Sequence, residues 1–251
     1  MICALLVFQQ PDLPAPLWQM SPWLDWLGAP IDEVCSQLDA QQHRRFIKTH
    51  TPLDGVPVDP SASYIVVGRH PLDMATSLYH QGDNLDRERM SELTGQPARP
   101  RRRRPPLHDW LLGWIEWEGD ARDQLDSLPG VMLHVSDAWA RRNEPNVLLM
   151  HYEDLAADLD GQMRRVAARL GIAVPDPAWP SLVEAATFSM MRARADDLAP
   201  NANGVLKSNE QFFRRGSSGG GREVLSSEEL NHYAERAAQL APPDLLAWLH
   251  R

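Results

Sequence analysis

The sequence predicts an α/β protein with parallel strands, and two stretches of the chain carry that prediction. Residues 64–67 are apolar and mostly β-branched, which is typical of a buried central strand, and the corner at residues 68–71 (Gly-Arg-His-Pro) leads from them into a helical pattern. Residues 146–152 repeat the arrangement, because a helical pattern begins at Glu153. A strand that runs into a helix through such a corner is the usual place where an α/β protein binds a ligand.

Length and charge set the limits of the interpretation. At 251 residues the chain can bury one sizeable core, and we expect a single domain over residues 1–251. There are 25 Lys and Arg against 34 Asp and Glu, for a net charge of −9, which argues against a general nucleic-acid binder. Positive charge must therefore be concentrated locally if the protein binds a polyanion.

The sequence predicts a cytoplasmic protein. Cys3 and Cys35 are too few for a disulfide framework and indicate a reducing compartment. Residues 1–8 are apolar but lack the basic start and the cleavage site of a signal peptide. No apolar run approaches the ~20 residues that a transmembrane helix needs.

The remaining elements follow from apolar periodicity and cap residues. Residues 2–8 are compatible with a buried strand or a buried helix. Helices are predicted at 31–42, from 73 to about 90, at 107–117, at 131–142, from 153 to 170 with Gly171 at its C-terminus, over about fourteen residues after Ser226 and Ser227, and at 244–249 after Pro242 and Pro243.

Three segments leave more than one interpretation open. Residues 9–30 are rich in Pro and Trp and form either a loop pinned to the core or a wall of an apolar pocket. Trp110, Trp114 and Trp117 share one helical face, which belongs to the core or to the same pocket. Four arginines at 101–104, flanked by prolines, indicate a mobile solvated loop; a nucleic-acid or membrane patch and a lid over an anionic nucleotide are the alternatives.

Several short motifs, in a fixed order, resemble a known family. Lys48-Thr49-His50 is followed by the 69–73 stretch Arg-His-Pro-Leu-Asp, with Ser77 eight residues after Arg69, and 212–216 read Phe-Phe-Arg-Arg-Gly. The chain resembles the cytosolic-type sulfotransferases that use 3′-phosphoadenosine 5′-phosphosulfate (PAPS), and within them the mycobacterial glycolipid sulfotransferases. The resemblance implies a three-layer α/β sandwich with a central, mostly parallel sheet.

The resemblance also implies roles for individual residues. His50 would be the general base on a catalytic strand, and Lys48, on the same face, would stabilise charge at the sulfuryl centre. The other implied contacts are with the nucleotide. The 3′-phosphate would be bound by Arg69, Ser77 and Arg214, and the adenine would be contacted by Tyr152 and Phe188. The loop that closes the site would contain Phe212, Arg215 and Gly216. A satisfied buried histidine is the alternative for His50, and a structural tyrosine for Tyr152.

The sequence departs from the family pattern at several places. Ala186 stands where the family has Thr, Arg215 where it has Lys, and residues 219–221 (Gly-Gly-Gly) where it has Gly-Asp-Trp, which removes two anchoring side chains. The family's C-terminal dimer motif is missing, so the oligomeric state stays open.

The family's 5′-phosphosulfate loop, roughly Lys-Ser-Gly-Thr-Thr-Trp, would precede the first helix, and this sequence starts after it. We therefore expect an N-terminally truncated fold whose residue 64–68 strand has an unpaired edge. We also expect a poor enzyme or none, caused by a start codon assigned too far downstream or by a true remnant.

Three functions compete at this point. The first is sulfuryl transfer from PAPS to a hydroxylated apolar small molecule or glycolipid, since nine Trp stand against five Phe. The second is a non-catalytic homologue that binds adenosine 3′,5′-bisphosphate or lipid. The third, a P-loop kinase, is disfavoured because no Walker lysine is found. No zinc spacing and no GxSxG motif is present, so we expect neither a metal nor a serine hydrolase.

Overall fold

The computed structural model describes residues 1–97 and 104–251. The arginines at 101–103 lie outside the described residues, so the prediction of a mobile loop there stays a prediction. At Arg104 the predicted solvated side chain is wrong, because its guanidinium carbon lies 3.9 Å from the centre of the Tyr79 ring and Nη1 donates to the Tyr79 carbonyl. The described residues form two compact units, each made of three stretches of chain. The first unit contains residues 1–50, 83–97 and 158–216, and the second contains 51–82, 104–157 and 217–251.

Helices dominate both units. In chain order the elements are α1 (Ile2–Phe8), α2 (Leu17–Met20), α3 (Ile31–Ala40), β1 (Tyr64–Gly68), α4 (Pro71–Asn84), α5 (Arg87–Thr94), α6 (Leu107–Ile115), α7 (Leu128–Ala140), β2 (Val147–His151), α8 (Tyr152–Ala157), α9 (Leu159–Leu170), α10 (Trp179–Ala185), α11 (Phe188–Ala193), α12 (Ala195–Leu198), α13 (Asn209–Phe212), α14 (Ser227–Leu240) and α15 (Pro243–Leu249). Short 3₁₀ turns lie at Leu53–Gly55, Asp176–Ala178 and Arg222–Val224.

The second unit is built around a parallel pair of strands. β1 and β2 pair from Tyr64 opposite Val147 to Gly68 opposite His151, and α7 packs against both strands. The α/β class with a parallel sheet is therefore confirmed. The strand predicted at residues 64–67 is confirmed as β1, but its predicted burial is wrong, because residues 64–66 are only half-buried and Val67 is 53% exposed. Among the described residues the sheet has only these two strands, so each strand has one edge without a strand partner.

Helices α4, α6, α7, α14 and α15 enclose the apolar core of the second unit. Its buried members are Leu72, Ala75, Leu111, Trp114, Ile115, Leu128, Val131, Met132, Val135, Leu225, Tyr233, Ala237, Ala241, Leu245 and Leu249. Trp114 is buried in this core and Trp110 packs against it. Trp110 and Trp114 therefore belong to the core, whereas Trp117 lies beyond the end of α6 at Ile115 and does not share its helical face.

The first unit has its own apolar contacts. Residues 2–8 form a helix, which decides between the two interpretations, and α1 packs against α9, which in turn packs against α10. A second cluster buries Ala199, Val205 and Leu206 against Trp26 and Phe213, among others. Trp26 therefore pins part of the Pro- and Trp-rich segment to the core of this unit.

Two predicted helices are in fact pairs of shorter helices. The helix predicted to reach about Met90 ends at Asn84, because Leu85 bridges to Leu206 and the Asp86 carboxylate caps α5. The helix predicted from Glu153 to Leu170 is interrupted at Asp158, whose side chain accepts a hydrogen bond from the Gly161 N–H and caps α9. In both cases an aspartate side chain caps the N-terminus of a new helix, although the apolar periodicity of the sequence continues through that position.

Other caps agree with the sequence. Ser226 and Glu229 form a capping box at the start of α14, and Gly171 ends α9 in the left-handed conformation. α7 begins at Leu128, earlier than predicted, because the Ser127 hydroxyl accepts a hydrogen bond from the Gly130 N–H. In the part of the chain that the structure describes, no helix has the length and apolar character needed to cross a membrane.

Candidate functional site

Both strand–helix corners of the second unit are closed by a histidine. At the end of β1 the Nδ1 atom of His70 accepts a hydrogen bond from the Leu72 N–H at 3.2 Å, and at the end of β2 the Nδ1 atom of His151 accepts one from Glu153 at 3.2 Å. Each imidazole thus satisfies a backbone donor in the first turn of the following helix. The corners hold the side chains beside them, Arg69 and Tyr152, in defined positions.

These two histidines are neutral in the folded protein. Burial lowers the pKa of His70 to about 4, and the nearby His250 lowers it further, against the opposing effect of Asp73. Burial also lowers the pKa of His151. Because Nδ1 must carry no proton to accept the N–H bond, protonation would break the contact that closes each corner.

Arg69 is held between an aromatic ring and a carbonyl group. Its guanidinium carbon lies 4.1 Å from the centre of the Tyr152 ring, and Nη2 donates to the Ser217 carbonyl at 2.9 Å. Its Nε atom is buried and has no hydrogen-bond partner among the described residues. A buried guanidinium N–H that has no acceptor in the protein is well suited to donate a hydrogen bond to an oxygen of an anion.

Asp73, in the first turn of α4, anchors the loop that follows Gly216. Asp73 is 4% exposed, and its carboxylate accepts hydrogen bonds from the Gly219 N–H at 2.9 Å and the Gly221 N–H at 3.1 Å. The Ser218 hydroxyl donates to Glu153. The glycines at 219–221 have no anchoring side chains, and the backbone N–H groups of Gly219 and Gly221 hold the loop on Asp73 instead.

In the first unit, Lys48-Thr49-His50 lies beside Trp23. The prediction of a strand here is wrong: Lys48 forms a single parallel bridge with Trp23, with hydrogen bonds from Leu24 N to Lys48 O and from Lys48 N to Pro22 O. The Lys48 ammonium lies 4.0 Å from the centre of the Trp23 ring, and the His50 ring meets the same indole edge-on at 4.5 Å. One indole therefore contacts both predicted catalytic side chains.

Asp25 supports this segment from the same turn as Trp23. The His50 N–H donates to Asp25 Oδ2 at 2.9 Å, and the Thr49 hydroxyl donates to the same oxygen at 3.2 Å. Burial lowers the pKa of Lys48, and the charge of Asp25 acts in the opposite direction. Sequence reasoning did not identify Asp25, since nothing in the sequence connects position 25 with positions 49 and 50.

Phe188 and the loop from Phe212 to Gly216 also come together in the first unit. The ring centres of Phe188 and Phe213 are 6.4 Å apart, and those of Phe212 and Phe213 are 5.1 Å apart. Gly216 has a φ of 65°, and a Cβ atom there would lie 2.5 Å from the Phe188 ring. Only glycine fits so close to this ring at a positive φ, so Phe188 fixes the end of the loop.

The other predicted contacts lie on the surface. Ser77, Arg214 and Arg215 are exposed. Phe188 also borders an open groove of about 740 Å³, whose polar lining includes the ion pair between Arg192 and Glu210. The predicted site residues thus form three clusters. Two lie in the first unit, Lys48 with His50 on Trp23 and Phe188 with the 212–216 loop, and the third, Arg69 on Tyr152, lies in the second unit.

The parallel strand pair and the helices packed on it define a protein of the α/β class. The chain belongs to the sulfotransferase family, whose domain matches residues 2–241. It is 42% identical, over 99% of this chain and 82% of the relative, to a glycolipid sulfotransferase of Mycobacterium bovis, and equally to one of Mycobacterium tuberculosis. The resemblance noted in the sequence is confirmed.

Solved structures share the fold. A retinol dehydratase in complex with androsterone and the inactive cofactor PAP superimposes with a TM-score of 0.72 over 96% of this chain and 77% of that one, at 21% identity. The mouse sulfotransferase SULT7A1 complexed with PAP also gives 0.72, over 99% and 82%, at 19% identity. The human sulfotransferase 2B1 is 27% identical over 76% of this chain and 47% of that protein.

Proposed function

We propose that this sulfotransferase uses PAPS to sulfate the hydroxyl group of an apolar acceptor, a lipid or glycolipid. The observation that carries the proposal is the pairing of the Lys48 ammonium and the His50 imidazole on the Trp23 ring. The names of the mycobacterial relatives support a glycolipid acceptor, and the PAP in two solved relatives supports the donor.

His50 acts as the general base in this proposal. An imidazole takes up a proton readily near neutral pH, and this ring is exposed at a segment fixed by its backbone. Removal of the hydroxyl proton makes the acceptor oxygen a nucleophile. The Trp23 indole excludes water from one side of the imidazole and provides an apolar contact for the acceptor.

Lys48 stabilises negative charge that grows in the transition state. PAPS supplies the activated sulfuryl group when it is bound. A half-buried ammonium beside an indole interacts more strongly with such charge than a solvated one does, because the surrounding dielectric is lower.

Arg69 provides the strongest fit to the 3′-phosphate of the nucleotide. Its guanidinium is permanently charged and oriented by Tyr152 and Ser217, and its buried Nε lacks a partner among the described residues. Ser77, Arg214, Arg215 and the Gly216 N–H complete the proposed phosphate contacts, and Phe188 with Phe212 and Tyr152 the proposed nucleoside contacts. No residue of this scheme requires a metal ion.

The proposal is tested with the purified chain, PAPS and a panel of acceptors that runs from hydroxylated lipids to small polar sugars. Whatever activity the purified chain has should give sulfated lipid as the product, and His50→Ala should lower that rate by about 10²–10⁴ while the affinity for adenosine 3′,5′-bisphosphate is nearly unchanged. His43→Ala, at a histidine of the same unit outside the site, is the matched control. A parent-like rate for His50→Ala would show that His50 is not the general base. Sulfation of polar sugars alone would exclude an apolar acceptor.

A further inference from the structure

We propose that Asp25 is a positioning residue of the reaction: its carboxylate fixes Thr49 and His50 and thereby aims the imidazole and the Lys48 ammonium at the Trp23 ring. The inference rests on the proposed roles of Lys48 and His50. Asp25 is only partly exposed, and its two oxygens receive the His50 N–H at 2.9 and 3.3 Å. Oδ2 also receives the Thr49 hydroxyl at 3.2 Å.

The local backbone explains why such a support is needed. Pairing between this segment and residues 22–24 is a single bridge at Lys48, not a ladder that continues to His50. A strand would orient both side chains through regular hydrogen bonds, whereas here the two residues after Lys48 are connected to Asp25. Hydrogen bonds to a charged acceptor are shorter and stronger than neutral ones, so a carboxylate holds this position better than an amide.

Trp23 and Asp25 belong to one turn, closed by a hydrogen bond from Trp26 N to Trp23 O at 3.3 Å. This turn presents an indole and a carboxylate, two residues apart, to the same three-residue segment. The indole contacts the side chains of Lys48 and His50, and the carboxylate contacts the backbone and the hydroxyl between them. This turn therefore fixes the His50 imidazole and the Lys48 ammonium relative to each other, because both contact the Trp23 indole.

Positioning of this kind affects the rate and not the binding of the nucleotide. A displacement of a catalytic group by about 1 Å can cost about 10²-fold in rate. We expect Asp25→Ala to lower kcat by about 10²-fold and Asp25→Asn, which keeps one oxygen acceptor but no charge, by about tenfold. Asp25→Glu should recover part of the loss, since the longer carboxylate still reaches the His50 N–H.

The experiment compares these three variants with Thr49→Val, which removes only the hydroxyl donor, and with Asp32→Asn, an exposed acid of α3 in the same unit, as the control. For each protein, kcat and acceptor KM are measured with PAPS and a hydroxylated lipid, the Kd for adenosine 3′,5′-bisphosphate by calorimetry, and the Tm by thermal denaturation. The inference predicts a fall in kcat with KM and Kd within about twofold of the parent values, a smaller fall for Thr49→Val, and no change for Asp32→Asn.

The outcomes separate this inference from the proposed function. If His50→Ala is inactive and both Asp25→Ala and Asp25→Asn retain the parent kcat, the positioning role is wrong and the general base stands. If His50→Ala keeps the parent kcat, the proposed role of His50 as general base is wrong, and the positioning role of Asp25 is rejected with it. A rise in KM or Kd at unchanged kcat would assign Asp25 to binding and also overturn the inference. If Asp25→Ala does not fold, the near-isosteric Asp25→Asn decides the question.

Discussion

At the scale of single residues, Arg69 shows how a guanidinium becomes oriented for an anion before the anion binds. One face lies on the Tyr152 ring, one nitrogen donates to the Ser217 carbonyl, and the buried Nε remains available among the described contacts. Holding the fork in place in advance reduces the conformational entropy that binding must overcome. A lysine at the same position would keep the charge but not the geometry.

We expect Arg69→Lys and Arg214→Gln each to weaken the binding of adenosine 3′,5′-bisphosphate by at least about tenfold, because a charge-assisted hydrogen bond contributes about 1.5–3 kcal/mol. The Kd for AMP, which has no 3′-phosphate, should hardly change. Calorimetric titration of both nucleotides measures the difference. Arg251→Gln, at an exposed arginine that pairs with Asp154, is the control. Equal losses for the two nucleotides would exclude a 3′-phosphate contact.

Single residues divide clearly into those that the sequence could and could not identify. Lys48, His50 and Arg69 stand in motifs, so their local order was enough to single them out. Asp25 and Asp73 act across 25 and 146 positions of the chain, on backbone N–H groups that every residue but proline carries. Such contacts leave no pattern of residue types, and they were found only from the structure.

At the scale of elements, the contact between α4 and the loop at residues 217–221 depends on small size as well as on hydrogen bonds. A Cβ atom on Gly221 would lie 2.3 Å from the Leu72 carbonyl oxygen, and the hydrogen bond of 3.1 Å from the Gly221 N–H to the Asp73 carboxylate keeps the backbone in this close position. Gly219 has a φ of 95°, which strains any side chain there. Two of the three consecutive glycines thus have a structural reason to be glycine.

We expect Gly221→Ala to destabilise the protein by about 1–3 kcal/mol, because backbone atoms must move to admit the methyl group. Gly113→Ala is the matched control: it lies inside α6, a Cβ atom there meets nothing within 4 Å, and alanine should stabilise that helix by about 0.5–1 kcal/mol. Urea denaturation measures both changes. Faster amide hydrogen exchange at Gly219 in Gly221→Ala would locate the effect in this loop, and changes of equal sign in the two variants would contradict the prediction.

The existence and type of most elements followed from the sequence, whereas two of their boundaries did not. Apolar periodicity continued through Asp86 and Asp158, so the two caps that split the predicted helices looked like ordinary surface residues. The exposure of Val67 was missed for a different reason: burial of a strand depends on its neighbours in the sheet, and β-branched composition alone does not reveal how many neighbours there are.

At the scale of the whole molecule, the buried histidines of the second unit make its stability depend on pH. The pKa of His70 is lowered to about 4 by burial and by His250, and burial also lowers the pKa values of His151 and His250. In the unfolded chain these groups titrate near pH 6.5. As the pH falls below about 6.5, the unfolded state takes up protons that the folded state does not, so the free energy of unfolding decreases until about pH 4.

We expect the free energy of unfolding to be highest above pH 6.5 and to fall toward pH 4, with about 3 kcal/mol of the loss due to His70 alone. Urea denaturation followed by circular dichroism at a series of pH values measures it. His70→Asn keeps an acceptor for the Leu72 N–H but cannot be protonated there, so its pH dependence should be shallower. Identical slopes for His70→Asn and the parent would refute the prediction.

The α/β class and the family followed from two strand–helix corners and a few motifs, because these depend on local order along the chain. The division into two compact units did not, since each unit collects stretches separated by dozens of residues. Hydrophobic periodicity places a residue on the inner face of its own element and carries no information about which distant element covers it.

The interleaving of the two units has a consequence for folding on the ribosome. The first unit is not complete until residue 216 has been made, and the second not until the C-terminal residue. At a synthesis rate of roughly 5–20 residues per second, α9 to α13, which belong to the same unit, are completed on the order of 10–30 s after the segment with Lys48 and His50 has been made. Throughout that interval the newly made chain carries unburied tryptophans, so chaperone binding during synthesis should depend most on the N-terminal third of the sequence.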